Sequence, residues 1–293
     1  MKSDLNPEIL VNEHCGCGEN PLYDEARGTL YWCDIPAGKV FALDVQSGAH
    51  RLVHQGAEMG AFTLQSDGNL LIFPGHDALI LNPQNGETTP LKTEIVSDTG
   101  RFNDCIAAPD GRIFAGTVDW DQKRRGALFD LGFGLEATKI CSGTACSNGI
   151  AFTPDLRGLY WADSTAKTVY LFDYDAQNGA LSNRRAFLQT PDLTPDDLTP
   201  DGLTIDRDGD LWIAFYDGGC VRHYDARARL VAQVDLPTKN ITSCIFGGPN
   251  FADLFITSAG GKADDDSPAG ALFRITPEVG GKAEFRSTVN LKN

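Results

Sequence analysis

The sequence is poor in positive charge: 25 lysines and arginines stand against 40 aspartates and glutamates in 293 residues, a net charge of −15. Binding to phosphate backbones needs clustered Lys and Arg, so nucleic acid is excluded as a partner. No run of about 18 apolar residues occurs, and Met1–Leu10 lacks the apolar core of a signal peptide. A protein without membrane or secretory attachment is expected. The eight cysteines show no CxxC pair, and Cys15-Gly-Cys17 alone makes a weak zinc case. Reduced, mostly buried thiols and a cytoplasmic location follow as expectations. Five histidines sit in no triad-like context and no GxSxG occurs, which argues against a serine-type nucleophile. His14 reads as structural, and Cys15, Cys17 and Cys146 read as packing residues.

What the sequence does have is turns. It carries 31 glycines and 15 prolines with 42% apolar residues, a globular composition. Helical periodicity is scarce. Short β-rich runs recur instead, among them Thr29-Leu-Tyr-Trp-Cys33, Leu70-Leu-Ile-Phe73, Arg112-Ile-Phe-Ala115, Gly158-Leu-Tyr-Trp161, Asp210-Leu-Trp-Ile213 and Asp253-Leu-Phe-Ile256. Each follows a turn, often Asp-Gly, which is a strong hairpin signal. Anchors at Gly28, Gly68, Gly111, Gly158, Gly209 and Ala252 are spaced 40, 43, 47, 51 and 43 residues apart. Six units of that length, each with several short strands, predict an all-β, six-bladed β-propeller formed by residues 1–293 as one domain. Ile9–Asn12 is expected to close the ring on a late strand, because an open ring would leave an exposed sheet edge. The stretch Thr190–Asp201 reads as a Pro-rich loop, and Lys262–Asp266 as a solvated acidic one.

The repeat register singles out a polar ring. Counting back from the anchors, Glu19 lies 9 residues before Gly28, Asn103 lies 8 before Gly111, Asn148 lies 10 before Gly158 and Asp201 lies 8 before Gly209. Gly60 and Ser243 hold the matching places in the other two units. Two carboxylates and two amides at one channel mouth suit a hard divalent cation: calcium, magnesium, manganese or ferrous iron, with zinc possible. Three or four protein oxygens leave coordination positions for water or substrate, as metal-assisted hydrolysis requires. Taken singly, Asx-Gly pairs are ordinary turn residues. Their shared register is what points to a site.

At these residues the chain resembles the senescence marker protein/gluconolactonase/regucalcin family. The likeness runs through Cys15-Gly-Cys-Gly-Glu-Asn-Pro21, Gly100-Arg-Phe-Asn-Asp104, Ser147-Asn-Gly149, Pro200-Asp-Gly202 and Thr242-Ser-Cys-Ile-Phe-Gly-Gly248. The resemblance implies one divalent metal at the channel mouth, with Glu19, Asn148 and Asp201 as ligands. It implies that Asn103 lies beside the metal and substrate, that Arg101 binds substrate hydroxyls, and that Asp121 contacts the sugar, with Asp119 as its rival. The implied activity is hydrolysis of aldonolactones such as gluconolactone to the open-chain acid, the attacking water being activated by Asp201 as general base or by the metal alone. Two alternatives stand beside it: a calcium-binding regulatory protein without turnover, and an esterase or phosphotriesterase acting on non-sugar substrates. The default oligomeric state is a monomer. Gln122–Gly126 is shorter than in animal members, which bears on the shape of the substrate pocket.

Overall fold

The computed structural model describes residues 5–121, 124–190, 198–262 and 266–289. Its architecture is an all-β six-bladed propeller: six antiparallel sheets of four strands each. The first strand of each blade lines the central channel, and neighbouring first strands contact one another around the ring. These inner strands are Gly18–Asp24, Met59–Leu64, Phe102–Ala107, Ser147–Phe152, Thr199–Ile205 and Ile241–Gly247. They are almost wholly buried, while outer strands such as Ala180–Gln189 are largely exposed. That gradient explains the continuous apolar runs near each turn and the charged residues on the outer strands.

The ring closes as expected. The N-terminal strand Glu8–Asn12 becomes the outermost strand of blade six and pairs antiparallel with Ala271–Ile275, Glu8 opposite Arg274 and Asn12 opposite Ala271. Arg274 and Glu8 also form an ion pair at 2.6 Å. The aromatic residues of the repeated strands supply the packing: Trp32 stacks on Phe41 at 5.2 Å and Trp161 on Tyr170 at 5.5 Å between ring centroids.

Two anchors differ from expectation. Gly28, Gly68, Gly111 and Gly209 adopt positive φ, but Gly158 begins a strand and Leu156 takes the left-handed position of that turn. The turn at Ala252 is a short 3₁₀ helix, Pro249–Phe251, rather than a tight hairpin. The Thr190–Asp201 and Lys262–Asp266 segments lie partly outside the described residues, at 191–197 and 263–265.

One irregularity recurs in all six blades. The register between first and second strands shifts at the same end of every inner hairpin, at Glu19/Leu22, Met59/Ala61, Phe102/Asp104, Asn148/Ile150, Pro200/Leu203 and Ile241/Ser243. Such a bulge breaks strict alternation and re-aims the side chains beside it. Here it lets neighbouring residues of one strand reach different places: Glu19 and Asn103 line a cavity at the mouth, whereas Asn20 and Asp104 line a cavity inside the channel.

Residues 276–289 run beneath the other end of the channel. Their backbone bonds to the turns of four blades, through Ser287 N to Leu64 O, Thr288 N to Gly111 O, Arg207 N to Gly280 O and Gly281 N to Phe251 O. Among the described residues no helix is long and apolar enough to cross a membrane.

Candidate active site at the channel mouth

A cavity of about 310 Å³ opens at the bulged ends of the inner strands. Glu19, Asn103, Asn148 and Asp201 all line it, together with Arg101, so the four blades of the predicted register meet there. Close contact between inner strands makes this possible. A Cβ on Gly149 would lie 2.6 Å from the Asp201 carbonyl oxygen. Gly202 is similarly pressed against the Ser243 side chain. Neither glycine has a positive φ. The Asn-Gly and Asp-Gly pairs are therefore sites of close strand approach and not turns.

The oxygen atoms of this cavity are incompletely satisfied. Asn148 donates Nδ2 to Ser164 Oγ at 3.2 Å and towards Cys146 Sγ at 3.7 Å, while its Oδ1 is buried with no partner. Asp201 Oδ1 is likewise buried and unpartnered. Glu19 Oε2 accepts the Asn20 backbone N–H at 2.8 Å. Burial pushes the Glu19 carboxyl up to about 8, with the charge of Asp104 adding to the shift. Asp201 is held well above the usual carboxylate range by burial and by Glu19 beside it. Orphaned buried oxygens and two close carboxylates are costly in isolation. A divalent cation would satisfy both, and the all-oxygen donor set fits a hard one.

Arg101 and Asn103 form one rigid unit beside these oxygens. Arg101 donates Nη1 to Asn103 Oδ1 at 2.8 Å and to the Phe102 carbonyl at 3.0 Å. Its Nε pairs with Glu58 at 2.7 Å. Asn103 donates Nδ2 to the Ser147 carbonyl at 3.0 Å, tying blade three to blade four.

Asp121 is not brought to the cavity. It is exposed, and its backbone N–H donates to Asp119 Oδ1 at 3.2 Å. Asp119 is buried and held by Arg125, which donates both its backbone N–H and Nε to Asp119 Oδ2. The residue between them, Trp120, lines the cavity and is 67% exposed. Sequence reasoning passed over it, although an aromatic residue between two turn-forming aspartates was the available signal. The Gln122–Gly126 segment lies partly outside the described residues, at 122–123.

Cys17 and Cys146 also line the cavity, whereas Cys15 does not. All eight cysteines are free thiols. Burial holds Cys17 and Cys146 well above the usual thiol range and pushes Cys15 up to about 12. Protonated thiols are poor nucleophiles.

A separate group that could hold a metal lies in blade five at the far end of its inner strand. Asp206, Asp210 and His223 place ligand atoms within 4.8 Å of one another. His223 Nε2 is 3.3 Å from Asp206 and 3.4 Å from Asp210, and its ring stacks on Trp212 at 4.4 Å. No spacing rule pointed to this group, because His223 arrives from a neighbouring strand.

The fold and mouth define a propeller protein with an oxygen-lined, cation-suited cavity beside a cationic arginine. The chain belongs to the SMP-30/gluconolactonase/LRE-like family, whose sequence profile matches residues 17–260. It is 38% identical to the pentonolactonase XacC of Haloferax volcanii, over 96% of this chain and 98% of that protein. Identity to regucalcin of Bos taurus is 33%, covering 94% of this chain and 95% of the relative. Among solved structures, a calcium-binding regucalcin from Agrobacterium tumefaciens superposes with a TM-score of 0.87 at 26% identity, covering 96% of this chain and 97% of that one.

Proposed function

We propose that this protein is a divalent-metal-dependent hydrolase that opens sugar lactones to aldonic acids. The observation that carries the reading is the convergence of Glu19, Asn148 Oδ1 and Asp201 Oδ1, the last two without protein partners, on a cavity that also presents Arg101. The named lactonase among its relatives supports the same reaction class.

Glu19, Asn148 and Asp201 would hold the cation. When bound, it supplies Lewis-acid polarisation of the lactone carbonyl oxygen. The guanidinium of Arg101 is a planar forked donor suited to neighbouring hydroxyls of a polyol. Asn103, fixed by Arg101 and Ser147, positions the substrate beside it. Water attacks the carbonyl carbon, and the Asp201 carboxylate takes its proton. The ring C–O bond then breaks, and that proton passes to the leaving ring oxygen. The Trp120 ring offers an apolar platform for the carbon face of the sugar.

In this reading residues 1–293 act as one propeller domain and as a monomer, in the cytoplasm, where free thiols persist. A calcium-binding role without turnover is the second reading, favoured by the regucalcin relatives. Hydrolysis of gluconolactone and five-carbon aldonolactones by chelator-stripped and metal-restored protein separates the two. Cation binding without turnover on any lactone would favour the regulatory role.

A further inference from the structure

At the end of blade five away from the mouth, a tight turn sets two carboxylates side by side. Asp206 follows the inner strand Thr199–Ile205, and Asp210 precedes the second strand, Leu211–Tyr216. The Asp206 N–H donates to the Asp210 carbonyl at 3.0 Å, and Asp206 Oδ1 accepts the backbone N–H groups of Asp208 and Asp210, each at 3.0 Å. The third strand, Cys220–Tyr224, places His223 opposite Trp212, and their rings stack at 4.4 Å and 11°. Cross-strand pairing thus brings the imidazole to the turn.

The imidazole lacks an ordinary partner there. His223 Nε2 lies 3.3 Å from Asp206 Oδ2 and 3.4 Å from Asp210 Oδ2, yet it is buried and aligned for a hydrogen bond to neither. Asp206 is 1% exposed, and no lysine or arginine pairs with either carboxylate among the described residues. Two carboxylates facing one ring nitrogen call for a positive charge: a proton on Nε2 or a metal ion between the three groups. A proton on Nε2 points at one oxygen only. The observed spacing is that of ligands around a tetrahedral metal, where bonds of about 2.0–2.1 Å set neighbouring ligands about 3.3–3.4 Å apart. Trp212 donates Nε1 to Asp206 Oδ2 at 3.2 Å, an outer contact of the kind that orients a metal-ligating oxygen.

We propose that this turn carries a zinc-type metal site, with Asp206 Oδ2, Asp210 Oδ2 and His223 Nε2 as three ligands and water as the fourth. An imidazole among carboxylates selects zinc or a neighbouring transition metal over calcium and magnesium. The side chain of Asp210 is 26% exposed, which admits the ion and its water. None of the three residues lines the mouth cavity, so the ion is structural and takes no part in lactone chemistry. It fastens the turn of the inner hairpin to the third strand of blade five. Because the ligands converge only in the folded chain, its binding stabilises the fold.

Zinc binding to the chelator-stripped full chain tests the proposal, read by equilibrium dialysis with elemental analysis. Asp201→Ala takes a carboxylate from the mouth and serves as the background, so that the two sites are read apart. One zinc per Asp201→Ala chain is expected, with X-ray absorption showing nitrogen and oxygen ligands and no sulfur. Adding His223→Phe, which keeps a ring to stack on Trp212, should abolish that zinc and the zinc-induced rise in Tm. Adding Asp210→Asn, a near-isosteric change at a partly exposed position, should weaken binding by more than about tenfold. Circular dichroism reports the fold, and Asp210→Asn decides the matter should His223→Phe fail to fold. Zinc bound by the wild type and lost in Asp201→Ala would overturn the blade-five site and leave the mouth reading standing. Zinc retained in Asp201→Ala but indifferent to both added changes, or no zinc binding at all, would overturn it too.

Discussion

Ser164 orients Asn148. Its Oγ donates to the Pro200 carbonyl at 2.7 Å and accepts Asn148 Nδ2 at 3.2 Å. The hydroxyl proton is therefore committed, the amide can present only its nitrogen to Ser164, and Oδ1 is left facing the cavity. The same bond to Pro200 fixes the residue before Asp201, so one serine positions oxygens from blades four and five. Outer partners of this kind commonly tune metal affinity by 10–100-fold.

Ser164→Ala should accordingly weaken cation binding at the mouth by about tenfold without unfolding the protein. Competition against a fluorescent chelator gives the affinity, and circular dichroism gives the fold. Unchanged affinity would mean that Asn148 is oriented by Cys146 and packing alone.

Arg101→Ala should mainly raise KM for polyhydroxylated lactones, by roughly 10–100-fold, as expected when one charged hydrogen-bonding group costs about 1.5–3 kcal/mol. A lactone without hydroxyls should be little affected. Equal loss on both substrates would assign Arg101 to holding Asn103 and Glu58 rather than to substrate.

Trp120 offers an optical test. It is the exposed tryptophan, whereas Trp32, Trp161 and Trp212 are 2%, 1% and 3% exposed. Adding an aldonic acid to metal-loaded protein should shift the emission, and Trp120→Phe should remove most of that change. Trp120→Ala should raise KM more than it lowers kcat. A ligand-induced change that persists without Trp120 would place the sugar elsewhere in the cavity.

Acid sensitivity should depend on Asp24. Burial alone would raise its pKa, but Arg286 and Arg27, each donating at 2.7 Å, hold it below the usual range. A depressed carboxylate contributes stability above its unfolded pKa, near 4, and loses it as pH falls through the folded value. Asp24→Asn should therefore cost about 2 kcal/mol at pH 7 and much less near pH 2. Urea unfolding at both values checks this, and a pH-independent loss would assign the effect to packing.

The propeller was legible because its cause is local and repeated: six turns of similar chemistry, each followed by a β-rich run. The mouth register was legible for the same reason, since the bulge recurs at one position in every inner hairpin and carries Glu19, Asn103, Asn148 and Asp201 to a common cavity. The position of Asp121 outside the cavity lining was not legible, because its loop is held by bonds to Asp119, including that from Arg125, which have no periodic signature. The course of residues 276–289 was invisible for a related reason. That segment belongs to no repeat and is held by backbone bonds and by side-chain bonds, such as Ser287 to Thr63 and Arg286 to Asp24, to blades distant in sequence.

The most direct measurement is hydrolysis of gluconolactone and a set of five- and six-carbon aldonolactones, followed with a pH indicator, by chelator-stripped protein before and after each divalent cation. The predicted result is negligible turnover in the stripped protein and restored turnover with at least one cation, abolished again in Asp201→Ala. Full turnover without metal, or unimpaired turnover in Asp201→Ala at saturating cation, would contradict the metal-dependent mechanism built on Glu19, Asn148 and Asp201.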